Sequence, residues 1–353
     1  MKYCAKRLFS FIKGDNMVDE KIFLTFEEQL NRLESRNLDM GTEKEKENAM
    51  FTLQNVSYYA IVNGYKDIFI KDSLKEDDYS NETFKNLRDS YDFDKDLSSI
   101  VFKYLMKIED SFKAILAYHT AKEFGHKEES YLVASNFRTG NFVEKEQKFE
   151  SEIMIEKLTR TCLTSREPQV IHNRDLYGCI PPWVLTSALT LDNLLFWYKL
   201  SESKIKLKVF NSYFLRGNDF TCNVYLDDNE RMDLFLNCMM IVKEYRNRSA
   251  HGSRIMNHKS AHNLPVNLLS LYVNDYRTFE PYMNKEIVSR GIFSFFTVIT
   301  IMFSKRNTVR NQFIEEISTH FENLKIENEY LYKKIMSKIE LPENFKDVLL
   351  SIV

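Results

Sequence analysis

The stretch DLSSIVFKYLMKIEDSFKAILAYHTAKEFG, residues 96–125, decides the fold class, because apolar side chains recur in it every three or four positions. The recurring residues are Leu97, Val101, Leu105, Ile108, Phe112 and Ile115, with His119 in line with them. This spacing predicts one long amphipathic helix of about eight turns. Gly125 is the expected end of the helix, and His119 is expected to be a core histidine.

Segments on both sides carry further helical patterns. Residues 22–36 offer Thr25 as an N-cap with Glu28 three positions later, which is the spacing of a capping box. Residues 49–70 are apolar nearly all round, and we expect a buried helix there that ends near Gly64. A more polar helix is predicted over 141–163.

The later segments also read as helices. Asp227 and Asp228 are expected to cap a helix that runs through His251. The most apolar segment, Ile292 to Phe303, has twelve residues. A bilayer span needs about 20, so this segment is predicted to be a buried core helix and no membrane contact is expected.

Composition agrees with an all-α protein. The 353 residues include only 9 Gly and 6 Pro, which leaves little material for the turns of a many-stranded sheet. We predict an N-terminal extension over 1–18, expected to lack fixed structure, and one composite domain over 19–353 with its C-terminal helices in 265–353. Met17 is a possible alternative start.

Charge and cysteine usage limit the function classes. The net charge of −2 excludes a broadly basic nucleic-acid binder, so any such function requires a local basic patch. No Cys-x-x-Cys pair and no signal peptide occur, which predicts reduced thiols in a cytoplasmic protein. The cysteines stand at 4, 162, 179, 222 and 238.

The stretch EYRNRSAHGSR, residues 244–254, supplies that patch and a candidate catalytic pair, Arg246 and His251. If the helix continues to His258, Glu244, Asn247 and His251 share one face with Arg254 and His258. From 243 to 259 five Lys or Arg stand against one Glu. The remaining predicted RNA contacts in this stretch are Lys243, Arg248, Arg254, Asn257, His258 and Lys259.

The chemistry that fits these residues is metal-free RNA cleavage by the ribose 2′-hydroxyl. A histidine side chain can serve as base or acid, the role expected of His251, while Arg246 offers a planar fork to phosphate. Asn247, one turn earlier, is expected to orient the His251 ring. One histidine cannot stand on both sides of a phosphate, so the mechanism predicts a homodimer. No metal ligand and no cofactor are assigned.

Competing interpretations remain open. The stretch is also compatible with a solvated helix end terminated by Gly252 and Ser253. Arg166 and His172 form a similar pair, but Pro168 lies between them in an irregular connection that reaches Pro181 and Pro182. A bare Arg–His spacing therefore has little weight on its own.

Two other features have their own alternatives. His258 and His262 have the spacing of a metal pair, but no third ligand lies near them in sequence. A second basic stretch over 199–217 contributes three predicted RNA contacts, while Glu109 and Lys113 read as an ordinary ion pair. Those three contacts are Lys204, Lys206 and Lys208.

The longer string RNRSAHGSRIMN, residues 246–257, resembles the C-terminal signature of the Abi (abortive infection) family, Arg-Asn-x-x-Ala-His-x-x-Arg-x-x-Asn. Other segments resemble the same family in order along the chain. They are FEEQLNRLESRNL, NVSYYAIVNGYKDIF, the long central helix and PPWVLTSAL, and the AbiF/AbiD-like branch is the most similar. Departures occur at Leu191 and Asp192, where a Phe-Gly pair is expected, and at Lys103 and Lys113, where arginine is common.

The resemblance implies a HEPN-type helical bundle with additional N- and C-terminal helices. Many HEPN proteins are metal-independent ribonucleases that act as dimers through an Arg-x(4 to 6)-His motif. A ribonuclease toxin of antiphage defence or of a toxin–antitoxin pair is therefore expected, with a small non-coding RNA as a candidate antitoxin. The alternatives are a protein that holds a structured RNA without cutting it, and a scaffold protein that binds no RNA.

Overall fold

The computed structural model describes residues 23–70, 78–214, 227–264 and 290–352. Within these ranges nearly all regular structure is helical, and the strands are limited to two pairs of two residues each. The all-α prediction is confirmed. The predicted extension over 1–18, most of the segment around Pro265, and Met17, Cys4, Arg216 and Cys222 lie outside the described residues.

The described residues group into two compact units, one up to Leu87 and one from Arg88 onward. The expectation of one composite domain stays a prediction. In the first unit α1 (Phe26–Glu34) begins with the predicted capping box, in which the Thr25 N–H donates to Glu28 Oε2 at 2.7 Å. Helix α2 (Glu43–Asn55) follows, and β1 (Leu38–Asp39) pairs in parallel with β2 (Glu82–Thr83).

The apolar segment over 49–70 is not one helix, and this prediction is wrong. Helix α2 ends at Asn55, and Val56 adopts an extended backbone. A π-helical turn at Tyr59–Asn63 and a 3-10 turn at Lys66–Ile68 follow. Val56 and Ser57 have low helix propensity, and the β-branched valine favours extended conformations.

The second unit is organised around α3 (Phe84–Phe124), which confirms the long central helix and extends it toward the N-terminus. Gly125, with φ at +94°, follows the helix as predicted. Leu97, Val101 and Leu105 are fully buried, so the apolar stripe lies in the core. The ring of His119 is half-buried and contacts Ser212 Oγ at 3.2 Å.

Shorter elements follow α3 and correct two further predictions. Residues 141–149 form an antiparallel hairpin, because Gln147 takes a positive φ of 52° in its turn and Phe142 packs edge-on against Phe149. The connection with Pro168 contains a helix that starts at that proline, which is well placed at the first helical position. The elements are α4 (Glu128–Tyr131), β3 (Phe142–Val143), β4 (Lys148–Phe149), α5 (Glu150–Thr164), α6 (Pro168–Tyr177), α7 (Pro182–Leu185), α8 (Leu191–Leu200), α9 (Ser203–Tyr213) and α10 (Asp228–Ala250).

The C-terminal helices complete the core. Every residue of α11 (Ile292–Met302) is buried, which confirms the predicted core helix. Helix α10 packs against α8, α9 and α11. Along the described ranges no helix is both long and apolar enough to cross a membrane. The remaining helices are α12 (Asn307–Glu327), α13 (Glu329–Ile339) and α14 (Phe345–Leu350).

Candidate functional site

Helix α10 carries the predicted catalytic pair on its last turns. Asp227 caps its start, as predicted, and the carboxylate accepts hydrogen bonds from the N–H groups of Asn229 and Glu230 at 2.7 and 2.9 Å. Tyr245 is fully buried and stacks on Phe295 with 3.7 Å between ring centroids. Tyr245 and the other buried residues of α10 form one apolar face that packs into the core. This packing fixes the rotation of the helix about its axis, and thereby the direction in which its polar residues point.

The helix ends at Ala250, so the condition for one shared face from Glu244 to His258, a helix that continues that far, is not met. His251 is the C-cap, and its N–H donates to the Asn247 carbonyl at 3.0 Å. Gly252 then takes a φ of +64°, which a residue with a side chain rarely adopts. The helix therefore ends just before Gly252 and Ser253, as the alternative interpretation of a terminated helix end expected. Arg254 and His258 lie beyond the helix and do not share a helical face with His251.

Arg246 is held by a buried carboxylate of α3. Its Nε donates to Glu109 Oε2 at 3.0 Å, and Glu109 is only 2% exposed. Lys113 pairs with the other oxygen of Glu109 at 2.8 Å. The predicted Glu109–Lys113 ion pair is confirmed, and it extends to the predicted catalytic arginine.

The side chains of His251 and Asn247 do not contact the same partners. His251 is exposed, and its ring makes no hydrogen bond to any described residue. Asn247 Oδ1 accepts a hydrogen bond from Arg246 Nη1 at 3.4 Å. The expected orientation of the His251 ring by the Asn247 side chain is not observed, because that side chain turns toward the guanidinium. On an α-helix Arg246 and His251 are separated by about 7.5 Å of rise.

The loop after His251 is fixed by residues that sequence reasoning missed. The buried Asp94 carboxylate accepts from the N–H of Met256 at 2.8 Å and from that of Ile255 at 3.2 Å. Its neighbour Lys95 donates to the carbonyl of Gly252. Asp94 is 161 residues before Ile255, so no local spacing signals this contact.

Arg248 closes the same loop from the helix side. Its Nε and Nη2 donate to the carbonyl oxygen of Arg254 at 3.0 and 2.7 Å. Arg248, predicted from the sequence to contact RNA, thus uses its guanidinium for hydrogen bonds within the loop. Asn257 is half-buried and Lys259 is exposed on the following turn.

Glu244 joins the two histidines that have the spacing of a metal pair. Its Oε2 lies 3.0 Å from His258 Nε2, and its Oε1 lies 3.7 Å from His262 Nε2. The sequence placed no acidic residue near them, because Glu244 is fourteen positions earlier. Among the residues that the structure describes, no group of three or more His, Cys, Asp or Glu side chains has the arrangement of a metal site. Burial is the main reason why the pKa of His258 lies below its ordinary value; the charge of Arg248 also lowers it, and the contact with Glu244 offsets this only in part.

The second basic stretch does not form one exposed face. Lys204 and Lys208 both pair with Glu123 near the C-terminal end of α3, at 3.0 and 2.7 Å. Lys206 is only 6% exposed, which corrects the expectation of a surface lysine. Glu123 is about 21 Å along α3 from the Arg246 partner Glu109. Lys243, the first residue of the main patch, pairs with Asp192 at 2.8 Å.

The fold and this site define an all-α protein with an arginine and a histidine at the end of one helix, the arginine anchored on a neighbouring long helix. The family model described as "Abi-like protein" matches residues 51–257, more than half of the chain, and ends at the last residue of the signature. The chain belongs to this family. No curated protein and no solved structure matches it.

Proposed function

We propose that this protein is a metal-independent endoribonuclease with a role in abortive infection, in which Arg246 and His251 cleave RNA. Membership of the Abi-like family supports the defence role. The observation that supports the enzymatic proposal most strongly is the difference in environment between the side chains of Arg246 and His251. Arg246 is anchored on a buried carboxylate, while His251 is exposed at the helix end.

The anchored guanidinium suits a phosphate-binding role. Glu109 occupies the Nε donor of Arg246, and the remaining donors of the fork are on the terminal nitrogens. The Arg246 side chain keeps 29% exposure, so solvent and ligand reach it. Positive charge held in this way stabilises the oxyanion that develops at phosphorus without reorganisation during the reaction.

His251 supplies the proton transfer. In the proposed reaction the 2′-hydroxyl attacks the adjacent phosphorus, its proton passes to a base, and the departing 5′-oxygen takes a proton from an acid. The products are a 2′,3′-cyclic phosphate and a free 5′-hydroxyl. One His251 serves one side of the phosphate, so a two-fold dimer that contributes a second His251 completes the site.

Control of the activity follows from the family role. An RNA-cleaving toxin must be restrained before infection, and we propose a small non-coding RNA as the antitoxin. The proposed site of action is the cytoplasm, where the RNA substrates are. The finer assignment to the HEPN superfamily and the AbiF/AbiD-like branch is part of the same proposal.

The test uses purified variants with matched controls. Arg246→Ala and His251→Ala should lose RNA cleavage and cellular toxicity while remaining folded, and EDTA should not affect the wild type. Arg160→Ala on α5 and His126→Ala after α3 change exposed residues of the same types and should retain activity. RNA binding without cleavage by the wild type would favour a protein that only holds RNA. Cleavage by both site variants would refute the catalytic assignment.

A further inference from the structure

A lysine of α3 lies against the loop that follows His251. The Lys95 ammonium donates a hydrogen bond to the carbonyl oxygen of Gly252, the residue that comes directly after His251. A Cβ placed on Gly252 would lie 3.9 Å from the same nitrogen, so the ammonium faces the backbone of this residue. Lys95 is 157 residues before Gly252, and the charge pattern of the stretch 243–259 therefore does not include it.

A second contact, on α3 itself, helps to hold the ammonium in place. Lys95 is half-buried, and its nitrogen lies 5.0 Å from the centroid of the Tyr91 ring, one turn earlier on the helix. A cation over an aromatic face is attracted by the quadrupole of the ring. The neighbouring Asp94 uses its carboxylate for the N–H groups of Ile255 and Met256. No carboxylate of the described residues forms an ion pair with Lys95, so no direct partner cancels its positive charge.

A structural role alone does not explain this ammonium. A lysine near a helix C-terminus can bind the last carbonyl groups and interacts favourably with the helix dipole. The end of α10 is already closed by backbone hydrogen bonds from the N–H groups of residues 251–253, in chain order, to the carbonyl oxygens of Asn247, Ser249 and Arg248, at 3.0, 3.2 and 2.9 Å. The contact with Gly252 uses one of the three donors of the ammonium. The other two have no acceptor among the described residues and are left for a ligand.

Lys95 and Arg246 place two positive charges around the proposed catalytic histidine. Lys95 lies on the side of the loop, and Arg246 lies on α10, where Glu109 holds its Nε. A nucleic-acid strand carries a charged phosphate at every nucleotide, so a strand whose scissile phosphate contacts Arg246 and His251 presents further phosphates beside them. A lysine ammonium is a point charge that binds a phosphate oxygen without the fixed geometry of a guanidinium. Lys95 is therefore suited to bind a backbone phosphate and not to select a base.

We propose that Lys95 binds a phosphate of the RNA backbone next to the scissile one, on the His251 side of the site. The proposed active site then draws its cations from two helices, Arg246 from α10 and Lys95 from α3. This inference rests on the proposed function, because it takes the His251 loop as the place where RNA binds. Lys95 contributes to binding and takes no part in proton transfer.

The contact is tested by RNA binding of the full-length protein over a range of salt concentrations, with His251→Ala in every variant so that the RNA stays intact. Lys95→Met removes the charge and should weaken binding and reduce the slope of log Kd against log salt by about 1, the value for one lost phosphate contact. Lys95→Arg keeps the charge and should restore most of that slope. Lys107→Met is the matched control and should keep it. Lys107 is a half-buried lysine of α3 whose nitrogen lies 5.2 Å from the Tyr104 ring centroid.

The melting temperature separates phosphate binding from a purely structural role of Lys95. If the lysine only holds the loop, Lys95→Met should melt lower than its His251→Ala parent and bind RNA with an unchanged slope, and that result would overturn the proposal. An equal loss of slope in Lys107→Met, or a parent that binds no RNA, would overturn it as well.

Cleavage by the wild type decides the enzyme separately. Uncut RNA together with the expected loss of slope in Lys95→Met refutes the ribonuclease and leaves the Lys95 contact in place. Cleavage together with an unchanged slope refutes the Lys95 contact alone.

Discussion

Replacement of Glu109 by glutamine tests whether the Arg246 guanidinium depends on its buried anchor. Glu109→Gln removes one negative charge and keeps the shape of the side chain. The carboxylate is 2% exposed and contacts Arg246 Nε at 3.0 Å and Lys113 Nζ at 2.8 Å. After the change these two positive charges face each other with no carboxylate between them.

The size of the effect follows from the burial of the three side chains. Loss of one partner from a fully buried ion pair costs about 3–5 kcal/mol. Arg246 and Lys113 keep 29% and 21% side-chain exposure, so water screens part of their charge. We expect the free energy of unfolding to fall by about 1–3 kcal/mol. RNA cleavage should fall by about 10- to 100-fold, because the guanidinium is no longer held in place.

Denaturant unfolding and RNA cleavage by the folded variant measure the two effects. Glu316→Gln is the matched control, since Glu316 also pairs with a lysine of α3, Lys103, but on the surface. The control should lose less stability than Glu109→Gln and none of the cleavage activity. A Glu109→Gln protein with wild-type stability and wild-type cleavage would show that the anchor has no role.

Three further predictions concern the surroundings of the site. Asp94→Asn should lower the free energy of unfolding by about 1–3 kcal/mol, since a buried carboxylate that accepts two loop N–H groups is lost; an unchanged denaturant midpoint would contradict this. Burial lowers the pKa values of His258 and His320, so the unfolded chain binds protons more strongly. The stability that these two neutral histidines contribute is complete above about pH 6.5 and should decline as the pH falls below it. Thermal melts of the wild type and His258→Gln between pH 8 and 5 measure this decline, which should be smaller in the variant. Phe295→Ala should cost about 3–5 kcal/mol, because it leaves a cavity under the stacked Tyr245 ring, and a melting temperature within error of the wild type would refute that packing.

The sequence predicted those helices whose extent is set by residues close together in the chain, namely by apolar periodicity, capping residues and a terminating glycine. The stripe through Leu97 and Phe112 and the stop at Gly125 predict α3, because periodicity and a terminating glycine act within one turn. The capping box at Thr25 and the cap at Asp227 were predicted for the same reason. Arg246 and His251 were found because they stand on one helix at a recognisable spacing.

The missed features depend on contacts that are distant in sequence. Periodic polar residues from Glu244 to His258 suggested one helical face, but Gly252 ends the helix and Asp94 holds the loop that follows. The anchoring of Arg246 by Glu109 joins positions 137 residues apart. The burial of Lys206 likewise depends on packing that the spacing of charges does not reveal.

The chemistry of the RNA ends tests the central claim most directly. Labelled RNA is incubated with the wild type, Arg246→Ala and His251→Ala in the presence of EDTA, and the new termini are identified by mass spectrometry. The proposed mechanism predicts 2′,3′-cyclic phosphate and 5′-hydroxyl ends with the wild type, and uncut RNA with both variants. Uncut RNA with the wild type, or the same cyclic ends with both variants, would contradict it.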